Sequence, residues 1–137
     1  MTVEKMLSDT KQGGKSMSFC WSTLRVNDLD RSILFYTEII GLELIERFSA
    51  GPKTEIAFLG NGETKVELLC DGTGRTVSVG NDISWGFTVT SLEDSLSLVR
   101  EKGIVIESGP IQPGPHVRFF FIRDPDGLKV QLVEQTA

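Results

Sequence analysis

Residues Val117 to Glu134 read VRFFFIRDPDGLKVQLVE. Two runs rich in β-branched and aromatic residues flank Asp124-Pro125-Asp126-Gly127. Proline presets φ at the front of a turn and glycine supplies positive φ at its end, so the stretch predicts a tight reversal between antiparallel strands. In the second strand Leu128, Val130 and Leu132 share one face, and Lys129, Gln131 and Val133 the other. Alternation from the same turn points Phe119 and Phe121 the way Gln131 points, and at least one of the three consecutive phenylalanines must be core. The only histidine, His116, sits in or beside the Pro113-Gly114-Pro115 loop just before this hairpin, an ordinary place for an exposed loop residue.

Upstream of the hairpin, Ile83 to Val89 alternates as a strand, Leu92 to Lys102 has helical spacing with Gly103 as its stop, and Ile104 to Glu107 reads as a strand. Gly109 to Pro115 reads as a proline-glycine loop. Trp85, Phe87 and Val89 are expected to pack under the second helix. The first half has the same order. Ser18 to Val26 is a strand, with Trp21, Thr23 and Arg25 on one face. Asn27 or Asp28 caps a helix in which Leu29, Ile33, Phe35, Tyr36, Ile39 and Ile40 recur, and Gly41 ends it. Strands follow at Leu42 to Phe48, Thr54 to Leu59 and Thr64 to Cys70, with Gly60-Asn61-Gly62 as a hairpin turn. Lys65, Glu67 and Leu69 share one face of the last of these. Laying Val26 on Val89 also lays Leu29 on Leu92 and Ser32 on Ser95, an internal repeat of about 60 residues that marks a duplicated module. The expected class is α+β: two tandem βαβββ modules, 17–80 and 81–137, behind a polar N-terminal extension, 1–16.

Bulk properties narrow the function. The 137 residues are 39% hydrophobic and 24% charged, with a net charge of −5 and a pI near 4.9. This argues against a nucleic-acid or anionic membrane partner, and no apolar run approaches the ~20 residues of a membrane span. Cys20 and Cys70 lack metal-type spacing and read as reduced thiols of a cytoplasmic protein.

Two motifs carry a family resemblance: R-V-x-D-L-x-R-S-x-x-F-Y from Arg25 to Tyr36, and D-P-D-G-x-x-x-x-L from Asp124 to Leu132. With the doubled module they make the chain, over about Met17 to Glu134, resemble the vicinal oxygen chelate superfamily of glyoxalases, bleomycin-resistance proteins and extradiol dioxygenases. The resemblance implies a curved, half-barrel mixed sheet with helices on its convex side. It also implies a homodimer with clefts at the subunit interface. In metal-using members four ligands come from the first and last strands of each module. Those positions fall here on Trp21, Glu67, Ser84 and Gln131. Indole offers no lone pair, a neutral hydroxyl is a poor ligand and a carboxamide oxygen a weak one, whereas a divalent transition metal wants three or four good donors. No metal and no cofactor is therefore expected.

The cleft would instead present Trp21, Thr23, Arg25, Glu67, Ser84, Phe119, Phe121 and Gln131, an aromatic lining with a few convergent polar groups. Such a site suits an aromatic or cationic small molecule. Trp21 either stacks on that ligand or plugs the space a metal would fill, and Glu67 either faces a ligand cation or pairs with Arg25. The leading expectation is a metal-free binding protein for drug or metabolite sequestration. The alternative is a glyoxalase-like lyase or isomerase with Glu67 as its catalytic base, with or without a weakly bound metal.

Overall fold

The computed structural model describes residues 2–8 and 16–136; the Gly13-Gly14 pair of the N-terminal extension lies outside them. A short helix α1 (Val3–Ser8) precedes the repeat. In the first module strand β1 (Trp21–Arg25) leads into helix α2 (Leu29–Leu34), followed by β2 (Leu44–Ser49), β3 (Glu55–Leu59) and β4 (Lys65–Cys70). The second module repeats the order with β5 (Ser84–Thr88), α3 (Leu92–Glu101), β6 (Ser108–Gly114), β7 (Val117–Arg123) and β8 (Lys129–Gln135). Each module forms a four-stranded mixed sheet, in the orders β1-β4-β3-β2 and β5-β8-β7-β6. In both, the first and last strands run parallel and the other pairs antiparallel. The fold is α+β with two βαβββ modules.

Period-two alternation sorts the side chains. Leu24, Val66 and Leu68 of the first sheet and Phe120, Ile122, Val130 and Leu132 of the second are buried in one core with Leu29, Ile33, Leu92, Leu96 and Val99 of the helices. Burying each such side chain contributes roughly 1.5–3 kcal/mol. The caps are Asp28, which accepts the Arg31 N–H, and Ser91, which accepts that of Asp94.

The hairpin is as read. Gly127 has φ of +95°, and Asp124, 5% exposed, organises the turn. Its Oδ1 accepts the N–H groups of Asp126 and Leu128, each at 2.9 Å. Its Oδ2 accepts the hydroxyl of Tyr36 at 2.7 Å, tying the second module's turn to the first module's helix. Beside it Asn27 Nδ2 donates to Asp126 Oδ1 at 2.6 Å.

Three local readings need correction. The helix after Asp28 does not stay α-helical to Ile40: Phe35–Ile39 is a π-helical turn, with Ile40 N–H donating to the Phe35 carbonyl. The Thr37 hydroxyl donates to the Ile33 carbonyl at 2.8 Å, competing with the regular ladder. The edge strand of the second sheet is Ser108–Gly114, not Ile104 to Glu107. Its prolines survive there because β6 pairs on one side only, with β7. Trp85 packs towards the first module: its ring lies 5.8 Å from that of Tyr36, and its Nε1–H donates to Ser22 Oγ at 3.1 Å. An indole N–H withdrawn from water needs an acceptor, and Ser22 lies across the seam.

Candidate functional site

The expected site residues all lie on the faces turned away from the helices, but in two groups. On the first sheet Thr23 stands opposite Glu67 across the parallel β1–β4 pair, and its hydroxyl donates to the Glu67 carboxylate. Arg25 does not reach Glu67. It stands two positions further along, opposite Leu69, and its guanidinium is ion-paired with Asp71, just beyond the end of β4. The Arg25–Glu67 pair entertained from the sequence is thus absent, because register carries Arg25 past Glu67 to a nearer carboxylate. Trp21, 48% exposed, rests edge-on against Phe58 with ring centroids 5.3 Å apart.

On the second sheet Gln131 stands opposite Gly86 and Phe121. A Cβ at residue 86 would lie 3.1 Å from Gln131 Oε1, so glycine leaves room for the carboxamide to lean over β5. Phe119 and Phe121 meet edge-to-face at 5.6 Å, and Lys129 Nζ sits 4.4 Å from the Phe121 ring centroid. Ser84 is exposed opposite Lys129. Among the described residues no hydrogen bond, ion pair or ring contact joins the group on the first sheet to that on the second. His116 is exposed in the β6–β7 turn, apart from both groups.

The four ligand positions do not fit a divalent transition metal. Glu67 is the one carboxylate among them, and it already accepts the Thr23 hydroxyl. Trp21 has no donor atom to give, and the Ser84 hydroxyl and Gln131 amide are weak donors. Among the described residues no three of His, Cys, Asp and Glu gather at metal-binding range.

A cavity of about 430 Å³ opens at the seam of the modules, bordered by Phe19, Leu42, Leu59, Lys65, Ser84 and Trp85 among others. Ser84 is the one expected site residue on its rim. Three residues beside the first group were missed from sequence. Phe58 stands opposite Glu67, Glu46 opposite Phe58, and Phe48 stacks on Phe58 at 6.2 Å. Counting outward from the Gly60-Asn61-Gly62 turn, with Leu59 opposite Val66, would have found Phe58.

Residues 19–132 match the Glyoxalase/Bleomycin resistance protein/Dioxygenase superfamily, and the chain belongs to that family. The lactoylglutathione lyase of Salmonella typhimurium is 33% identical over 129 residues, covering 86% of this chain and 93% of that protein. The trypanothione-dependent glyoxalase I of Leishmania major superposes with a TM-score of 0.75 at 26% identity, covering 87% of each chain. TnmS3, an antibiotic binding protein from Streptomyces sp. CB03234, superposes at 0.68 with 18% identity, covering 90% of this chain and 98% of that one, a likeness of fold alone. Family members are often dimeric and bind small molecules. Among the described residues no helix is long and apolar enough to cross a membrane.

Proposed function

We propose that the protein binds a small molecule without a metal, sequestering a drug or metabolite against the outer faces of its sheets, as a cytoplasmic homodimer whose second copy closes the cleft. The donor set carries the reading: the family resemblance puts Trp21, Glu67, Ser84 and Gln131 at the ligand positions of metal-using members, and only Glu67 among them is a strong donor. Around them lie exposed or half-buried rings, the usual lining of a small-molecule site. Protein purified without chelators and offered Ni²⁺, Zn²⁺, Co²⁺ and Mn²⁺ is expected to hold no stoichiometric metal by native mass spectrometry. One tight metal per chain overturns the reading. Trp21→Ala is expected to weaken uptake of a retained small molecule with the circular dichroism unchanged.

A second reading is favoured by the 33% identity to a lactoylglutathione lyase and by the retained carboxylate at Glu67. In that reading Glu67 is the base of a lyase or isomerase, and the Thr23 hydroxyl orients it by donating to one carboxylate oxygen. Lactoylglutathione lyase turnover that is lost in Glu67→Gln would establish it. Turnover unchanged in that variant would remove Glu67 from the chemistry.

A further inference from the structure

We infer that the outer face of the first sheet selects a planar organic cation, which lies against Trp21 and Phe58 and gives its charge to Glu67 and Glu46. The inference rests on the binding-protein reading above. Strand register builds the arrangement. Phe58 stands opposite Glu67 across β3–β4 and opposite Glu46 across β2–β3. Directly opposed residues have Cβ atoms about 4.5–5.5 Å apart, so a glutamate side chain leaves the sheet on each side of the Phe58 ring. Trp21 meets that ring at 5.3 Å and Phe48 at 6.2 Å, making a row of three aromatic side chains across the sheet.

Neither carboxylate is neutralised by the protein. Arg25 is committed to Asp71, and Arg47 turns to Asp30 and Glu55. Among the described residues neither Glu46 nor Glu67 has an ion pair. Lys65 is the local counterweight, on the same face opposite Trp21. One ammonium against two carboxylates, with Arg25 and Asp71 cancelling, leaves this face negative.

The rings point the same way independently. The negative face of an aromatic ring attracts a cation. On the second sheet Lys129 already occupies the Phe121 ring. Among the described residues no cation lies over Trp21, Phe58 or Phe48, and Trp21 is half-exposed. A flat cation uses both the open rings and the unpaired carboxylates. A flat neutral molecule uses the rings alone, and a flat anion is repelled by the carboxylates.

The test is calorimetric titration of the full chain with 9-aminoacridine, a planar cation at neutral pH, and with acridine-9-carboxylate, the same ring system as an anion. The cation is expected to bind about tenfold or more tightly than the anion, and more weakly as salt rises. Glu67→Gln with Glu46→Gln is expected to erase the preference, and Phe58→Leu to weaken both ions, with melting temperatures checked for each variant. Equal affinity for the two ions, lost in Trp21→Ala, overturns the cation selectivity while leaving the binding-protein reading in place. Absence of binding by the cation overturns the inference. The metal measurement and the uptake test on Trp21→Ala then judge the binding-protein reading separately.

Discussion

Replacing Tyr36 by phenylalanine isolates one hydrogen bond. Tyr36 is fully buried and Asp124 is 5% exposed, and the hydroxyl donates to the carboxylate at 2.7 Å. Phenylalanine keeps the ring, and with it the contacts to Phe35 at 5.0 Å, Trp85 at 5.8 Å and Phe87 at 6.2 Å. What is lost is a bond to a charged acceptor, worth about 1.5–3 kcal/mol. Asp124 still holds two backbone N–H donors on its other oxygen, which places the expected cost near the lower part of that range, about 2 kcal/mol. At this chain length about 3 °C of melting temperature goes with each kcal/mol, so the midpoint is expected to fall by about 6 °C.

The same pair makes an alkaline signature. Burial first, then the charge and hydrogen bond of Asp124, then the charge of Asp126, hold the proton on Tyr36 and raise its pKa above the ordinary 10.0. The folded protein therefore keeps a proton that the unfolded chain sheds. The stability this represents is fully present below pH 10 and is lost as pH climbs towards the folded value, at about 1.4 kcal/mol per pH unit. Tyr36 is the only tyrosine, so tyrosinate absorbance reads this site alone. It is expected to stay silent in the folded protein past the pH at which urea-unfolded chain ionises, and to emerge only with loss of the fold. In Tyr36→Phe the alkaline decline due to this group is absent. Tyrosinate forming at ordinary pH in the folded protein, together with a variant that melts within about 1 °C of wild type, would refute the argument.

Ser32 is fully buried and its hydroxyl has no hydrogen-bond partner. Ser32→Ala removes that unpaired group and adds a better helix former, so denaturant unfolding is expected to show a gain of about 1 kcal/mol; a loss of that size would mean that the hydroxyl is satisfied in solution. Gly127→Ala forces a side chain into φ of +95° and is expected to cost about 1–2 kcal/mol, read as a drop in melting temperature with the far-ultraviolet spectrum kept.

Much of this was legible because period-two alternation is local. Phe119 and Phe121 against Phe120, and Gln131 against Val130 and Leu132, fall on the faces that simple counting assigns. What escaped is set by distance along the chain. Arg25 pairs with Asp71 rather than Glu67 because the β1–β4 register places Thr23, not Arg25, opposite Glu67, and that offset is decided by packing. Tyr36 and Asp124 are 88 residues apart; helical spacing placed Tyr36 on the apolar stripe without naming the carboxylate that its hydroxyl would need. The edge strand at Ser108–Gly114 was hidden by its own prolines, which a central strand could not have carried.

The same alternation explains how a chain of this family can keep the fold while its site residues vary. Leu24, Val66, Leu68, Val130 and Leu132 point inwards and are buried. A change there leaves a cavity costing roughly 2–5 kcal/mol for a leucine. Trp21, Glu67 and Gln131 lie on the same strands but point outwards, as does Ser84 on β5, where a substitution leaves the core untouched. One strand thus carries two independent messages at alternate residues. The inward one specifies the architecture shared with lactoylglutathione lyases, and the outward one sets the chemistry. Identity of 33% is summed over both and does not separate them. The outward message must be read residue by residue, and on the first sheet it reads as aromatic rings beside carboxylates.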